Sequence, residues 1–239
     1  IRERFDEIGA LANSLERMRR NLGQSQTNTE RMVNQDALTG LPNRRSVMER
    51  LDLEIEQCLR NKDRRFALIF VDLDNFKSIN DSMGHKAGDR LVIKVAQRLI
   101  ETVRAYDSVS INRPSEIDAD ADGQNNFVAR LGGDEFLMII QDINDTSDVA
   151  RIAERIYGLF KEPLYIDELQ FHVGMSIGIV LYPSNDETPE QLIKNADIAM
   201  YSAKSAGKNQ YRYYDNSMDT SARKSLEIEN ELRKALSDN

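Results

Sequence analysis

Residues 66–74, "FALIFVDLD", constrain the fold more than any other stretch of the chain. The unbroken apolar run Phe66 to Val71 reads as a buried strand, and it leads directly into Asp72 and Asp74. A strand that ends on carboxylates brings them to the edge of a sheet, where the chain leaves the core. In α/β folds the loops at that edge are where ligands usually bind. The rest of the pattern alternates around this strand. A helix runs to about Arg60, followed by strand 65–72, helix 86–104, strands 127–131 and 135–140, helix 147–160, strand 171–181, helix 189–206 and strand 210–214. This βαββαβ-like order predicts an α/β sandwich, a mixed central β-sheet flanked by helices.

The two ends read differently from this middle part. In residues 1–33, Ile1, Phe5, Ile8, Leu11, Leu15, Met18 and Leu22 recur at spacings of three and four, the spacing of a coiled-coil-like seam. An amphipathic helix packed on its own domain would show the same spacing. Residues 23–31 are too polar to continue a buried face, which favours a seam between two copies. Residues 217–237 read as a polar final helix. The expected division is therefore a helix over 1–35, one domain over 36–215 and a final helix over 216–239. Within the domain, 108–126 ("SVSINRPSEIDADADGQNN") is acidic and aperiodic, and is expected to be an insertion.

Composition excludes several classes of function. The net charge of −8 argues against binding a nucleic-acid polymer, which needs a basic surface. Cys58 is the single cysteine, so no intrachain disulfide can form, and it is expected to pack as a small apolar residue. With only His85 and His172, a Cys/His zinc site is not expected. No apolar run reaches membrane-spanning length.

A second acidic pair stands in "RLGGDEF", residues 130–136. Gly132 and Gly133 can form a tight turn between two short strands, presenting Asp134 and Glu135 at a hairpin tip beside the first strand. Carboxylates gathered there repel one another unless a cation neutralises them, and hard oxygen ligands favour Mg²⁺ shared with substrate phosphates. A solvated acidic loop is the plainer reading of "GGDEF" by itself; the upstream "DLDNFKSIND" weakens it.

Taken in order, "DALTGLPNRR", "DLDNFKSINDSMGHKAGD", "ARLGGDEF", "SIGIV" and "ADIAMYSAKSAGKNQ" resemble a GGDEF domain, the catalytic domain of diguanylate cyclases, over about residues 36–215. The resemblance implies a fold related to the polymerase palm and the nucleotide cyclases. It also implies condensation of two GTP into cyclic di-GMP, with release of two pyrophosphates, by a homodimer. By the same resemblance, Asp72, the carbonyl of Leu73 and Asp134 hold Mg²⁺, for which Mn²⁺ can substitute, and Glu135 is a further ligand or charge partner. The backbone N–H groups of Asn75 and Phe76, in the loop after Asp74, meet the terminal phosphates together with Lys77, Lys204 and Lys208. Asn80 and Asp89 read guanine: a carboxylate accepts from N1–H and N2–H₂, and an amide meets O6 or N3. Asp74 braces the phosphate loop, His85 caps or packs at the start of its helix, and Met83, Met175 and Met200 fill the core.

Arg104 and Asp107 form an RxxD pattern that in the family is the inhibitory site for cyclic di-GMP, with Arg155 as a second contact from a neighbouring domain. Here twenty-two residues, 108–129, separate Asp107 from Arg130, so the insertion could either loop out and leave that site intact or cover it. Asp118, Asp120, Asp122 and Gly123 begin like a calcium loop. Ala129 stands where its bidentate Glu is required, so a flexible acidic loop is expected instead. The N-terminal helix resembles the end of a HAMP module, and "ARKSLEIENELRKALSDN" resembles the helix leading into an EAL phosphodiesterase domain. Both suggest a membrane-anchored parent protein with this piece on the cytoplasmic side, reached by the membrane only through segments outside it. The alternative to catalysis is a GTP-binding module that regulates an attached phosphodiesterase without turning over. Intact Asp72, Asp134, Glu135, Asn80, Asp89 and Lys77 favour catalysis.

Overall fold

The computed structural model describes residues 33–110, 127–143, 145–166, 168–183 and 188–219. In chain order the elements are α1 (Arg44–Arg60), β1 (Phe66–Leu73), α2 (Phe76–Met83), α3 (His85–Ser110), β2 (Phe127–Gly132), β3 (Glu135–Gln141), α4 (Thr146–Lys161), β4 (Leu164–Ile166), β5 (Leu169–Phe171), β6 (Met175–Tyr182), α5 (Pro189–Ser205) and β7 (Gln210–Tyr213). The main sheet has the order β2-β3-β1-β6-β7. Within it β1 lies antiparallel to both β3 and β6, and β7 is parallel to β6. This is the expected mixed sheet.

Every residue of β1 is buried, because the strand is central and covered on both faces. Side chains alternate across a strand. Ala67, Ile69, Val71 and Leu73 therefore join one core with Leu91, Val95 and Leu99 of α3 and Val149, Ile152 and Ile156 of α4. Phe66, Leu68 and Phe70 join the other with Val47 and Leu51 of α1 and Leu192, Ala196 and Met200 of α5. Local chemistry sets the helix starts. Asn43 accepts from the N–H groups of Arg45 and Ser46 ahead of α1, while Thr188 and Gln191 form a capping box before α5, with Pro189 in the first turn. Gly178 of "SIGIV" is required by packing: a Cβ there would lie 1.9 Å from the carbonyl oxygen of Ala196, so only glycine lets α5 settle on β6.

The structure corrects several expectations. The polar loop after Asp74 is instead helix α2; Phe76 and Ile79, one turn apart, pack on the core. Met83 closes that helix facing solvent at 44% exposure rather than filling the core, whereas Met175 and Met200 are buried as expected. The predicted strand 171–181 divides into β5 and β6, with Gly174 between them, and β4 and β5 form a hairpin too short to leave a periodic signal. Helix α3 continues to Ser110, so the first residues of the expected insertion are helical. Cys58 is buried and His85 opens α3 from an exposed position. The expected N-terminal seam, the remainder of the insertion and most of the final helix lie outside the described residues. Among those residues, no helix is long and apolar enough to cross a membrane.

Candidate active site

Sheet register builds the acidic cluster. Asp72 stands opposite Glu135 across β1 and β3, and opposite Ser176 across β1 and β6. The β2–β3 turn consists of Gly133 and Asp134, with Gly132 closing β2 across a register shift. Gly133 takes φ 52°, a left-handed conformation that glycine adopts without strain. The hairpin thus places Asp134 next to the pair formed by Asp72 and Glu135.

These carboxylates perturb one another. Burial pushes Asp72 up to about 6, and Asp134 and Glu135 add to the shift while Lys204 opposes it. The Nζ of Lys204 lies 2.7 Å from Asp72 Oδ1 as an ion pair. Burial also raises Asp134, and it raises Glu135 with help from Asp197 and Asp134. Asp197 of α5 keeps an exposed edge, yet the surrounding protein desolvates it and raises its carboxyl too. Its role in this field was not foreseen, since nothing local marks one Asp in a helix as a neighbour of a distant hairpin.

The phosphate-binding candidates surround the start of α2. Asn75, at φ 62°, precedes that helix, whose first turn leaves N–H groups without partners inside the helix. Lys208, also left-handed, donates from Nζ to Asn75 Oδ1 at 2.7 Å. Asp74 is buried beneath them. It accepts from Ser176 Oγ at 2.7 Å and from the Asn209 N–H at 2.9 Å, while its own N–H donates to the Gly174 carbonyl at 2.9 Å. Asp74 therefore ties the loop before α2 to β6 and to the turn after α5. An open groove of about 630 Å³ runs here, lined by Asn75, Ser78 and Ser82 on one side and by His172, Lys208 and Asn209 on the other.

Asn80 lies in the notch between α2 and α3. A Cβ at Gly88 would fall 2.0 Å from Asn80 Oδ1 and 3.2 Å from the Phe76 ring, so Gly88 makes the space that the amide occupies. Asp89 follows on α3, exposed, and Lys77 is exposed on the first turn of α2. Arg104 and Asp107 fall on the last turns of α3, remote in sequence from the insertion's return at β2. The structure thus brings Lys204 to Asp72 and Lys208 to Asn75, and leaves Lys77 and Asp89 exposed on α2 and α3.

Among the described residues, no three His, Cys, Asp or Glu side chains are assembled as a metal cage. The donor set nevertheless suits Mg²⁺, which takes one or two carboxylates and completes its shell with water and substrate phosphate. Burial is the main cause of the raised carboxyls at Asp72, Asp134 and Glu135, and neighbouring carboxylates add to it at Asp72 and Glu135, so a cation there would favour the ionised forms.

Comparison with known proteins gives the same direction. The profile of the family described as "Diguanylate cyclase, GGDEF domain" matches residues 33–113 and 119–210. The bifunctional diguanylate cyclase/cyclic di-GMP phosphodiesterase MucR of Pseudomonas aeruginosa is 39% identical over 226 residues, covering 95% of this chain and 29% of MucR. The chain therefore spans less than a third of that relative's length. The solved GGDEF domain of YfiN (TpbB) from Pseudomonas aeruginosa is 32% identical with a TM-score of 0.67, over 79% of this chain and 99% of that one. The coiled coil and GGDEF domain of DgcB from Caulobacter crescentus, solved with c-di-GMP, is 25% identical with a TM-score of 0.69, over 86% of this chain and 97% of that one.

Proposed function

This chain belongs to the GGDEF diguanylate cyclase family, and from that premise we propose that it condenses two GTP into cyclic di-GMP, each of two facing copies supplying one bound GTP. The observation that carries the reading is the register match of Asp72 with Glu135, beside Asp134 and next to the lysine-flanked start of α2.

In this reading the amides at Asn75 and Phe76 and the ammonium groups of Lys77, Lys204 and Lys208 hold the triphosphate. Asn80 and Asp89 hold the guanine edge and reject adenine, which lacks the N1–H and N2 amino donors that Asp89 accepts and presents a donor where guanine presents O6. Asp72, Asp134 and the carbonyl of Leu73 would hold Mg²⁺, or Mn²⁺ in its place, with Glu135 alongside. The bound metal supplies activation of the attacking hydroxyl and stabilisation of phosphate charge. The 3′ oxygen of one GTP bonds to the α-phosphorus of the other, the bond to pyrophosphate breaks, and the hydroxyl proton leaves toward the carboxylate set; the same step with the two nucleotides' roles exchanged closes the ring and releases the second pyrophosphate. Lys204 has two anions within its reach: Asp72 in the free protein, and the triphosphate once substrate arrives. No nucleophilic side chain is required.

Cyclic di-GMP would also bind at Arg104 and Asp107 as an inhibitor, in line with the c-di-GMP complex of DgcB. The likeness of residues 1–33 to the end of a HAMP module and of residues 222–239 to an EAL-leading helix supports a parent protein in which this domain stands between a signalling segment and a phosphodiesterase. A second reading, GTP binding that regulates an attached phosphodiesterase without turnover, is supported by a relative named only as a cyclic di-GMP phosphodiesterase, NbdA of Pseudomonas aeruginosa, 33% identical over 231 residues. The test is incubation with GTP and Mg²⁺ of the wild type and of Asp134→Ala. Cyclic di-GMP from the wild type and none from a folded variant supports catalysis; wild-type turnover by the variant defeats the metal assignment.

A further inference from the structure

Arg130 is a charged residue inside an otherwise apolar strand, and its side chain is only 9% exposed. Its guanidinium is divided between two parts of the chain. Nη1 meets Asp36 Oδ1 at 2.8 Å, while Nε and Nη2 both donate to the Gly133 carbonyl, at 3.1 and 2.7 Å. Asp36 is aimed for this contact, because the same Oδ1 accepts from the N–H and hydroxyl of Thr39 at 2.9 and 2.7 Å. The Arg130 N–H adds a second strap, donating to the Pro42 carbonyl at 3.0 Å.

On one side of this guanidinium lies the segment by which the chain comes into the domain. That segment is fastened in turn: Asn43 Nδ2 donates to the Val33 carbonyl at 2.8 Å and Ser46 Oγ to the Asn34 carbonyl at 2.7 Å. On the other side lies the turn whose next residues are Asp134 and Glu135. Two successive glycines give that turn more backbone freedom than any other pair would. A carbonyl held by two N–H groups of a planar fork removes much of it, and only arginine can hold the carbonyl and a carboxylate together in this way.

We propose that Asp36 and Arg130 are positioning residues that couple the incoming segment to the geometry of the Gly133–Asp134 turn, so that a displacement at Val33–Gln35 is felt at Asp134 and Glu135. The catalytic consequence rests on the function proposed above; the mechanical coupling does not.

The test uses the full chain with Asp36→Asn, which removes the charge that holds the Arg130 guanidinium, and Arg130→Lys, which keeps the charge but removes the planar fork. Two readouts are needed. Amide hydrogen exchange at 132–135 is expected to quicken by about fivefold or more in both variants, although Asp36 lies far from the turn in sequence. In steady-state synthesis kcat is expected to fall by about tenfold or more, while KM for GTP stays within about threefold, because substrate contacts are untouched and alignment is lost. Unchanged exchange at 132–135 in Asp36→Asn overturns the coupling, and so does a matched loss of kcat and folded fraction without faster exchange in the folded protein. Should either variant not fold, Thr39→Val, which removes one hydrogen bond aiming Asp36, is expected to quicken the same amides, and no effect there overturns the proposal. A wild type that makes no product defeats the functional reading alone, and the exchange result still decides the coupling.

Discussion

Replacing Asp72 by Asn should make the metal-free domain more stable while abolishing synthesis. The side chain is only 6% exposed, and burial, aided by Asp134 and Glu135, lifts its carboxyl from 3.8 to about 6 even though Lys204 opposes the shift. A shift of about two pKa units corresponds to about 3 kcal/mol of folded-state cost for the ionised form, already net of the Lys204 attraction. Asn keeps the shape and removes the charge, and Lys204, 30% exposed on its side chain, can turn to solvent. The sign follows from proton counts. Between about 3.8 and about 6 the folded wild type binds more protons than the unfolded chain, so its stability falls as pH rises through that window. The variant lacks this loss. Urea unfolding in the presence of a chelator, from about pH 4 to about pH 8, should therefore show a stability difference near zero at the acid end. It should grow to about 3 kcal/mol in favour of Asp72→Asn above about pH 7. A difference that does not change with pH, or a variant destabilised at neutral pH, would refute the reasoning. The gain in stability with loss of activity would mark Asp72 as a residue kept for function.

Three further outcomes follow from the same geometry. Gly178→Ala drives a methyl group into the backbone of α5, 1.9 Å from the Ala196 carbonyl oxygen, and should destabilise the fold by about 3 kcal/mol or more in urea unfolding. A loss below about 1 kcal/mol would show that α5 can move aside at little cost. Specific activity should rise with protein concentration, because two GTP-loaded copies must face each other, and shortening the chain past Leu22 should shift that rise to higher concentration; concentration-independent activity in a monomer measured by light scattering would contradict it. Arg104→Ala should weaken cyclic di-GMP binding by about tenfold or more in calorimetry with GTP absent, and equal affinity in both proteins would remove Arg104 from inhibition.

Most of the sheet was legible in the sequence because β1, β3 and β6 are long and apolar. The run from Phe66 to Val71 could only be central, and it carried Asp72 to the sheet edge. The hairpin at Asp134 was legible from its glycines, and α5 was expected over 189–206, one residue beyond its observed end at Ser205. What escaped notice depended on distance or brevity. Strands β4 and β5 are too short for any period to register, and α2 was hidden because Asn75, Lys77 and Ser78 make its start look like a turn. The Lys204 partnership with Asp72 and the Arg130 partnership with Asp36 join residues far apart in the chain, and no local pattern reports such a pair. The one available signal was a lone Arg between Ala129 and Leu131, since an arginine in a buried strand must find acceptors.

The central claim is that Asp72, Asp134 and Glu135 form a working GTP-condensing centre rather than an inert nucleotide pocket. The most direct measurement is to incubate the chain with GTP and Mg²⁺ and quantify both products by chromatography and a pyrophosphate assay. The account predicts cyclic di-GMP and pyrophosphate in a ratio of one to two, with neither formed in the presence of a chelator. GTP that binds and is recovered unchanged at high protein concentration would contradict it and leave the domain as a regulatory module.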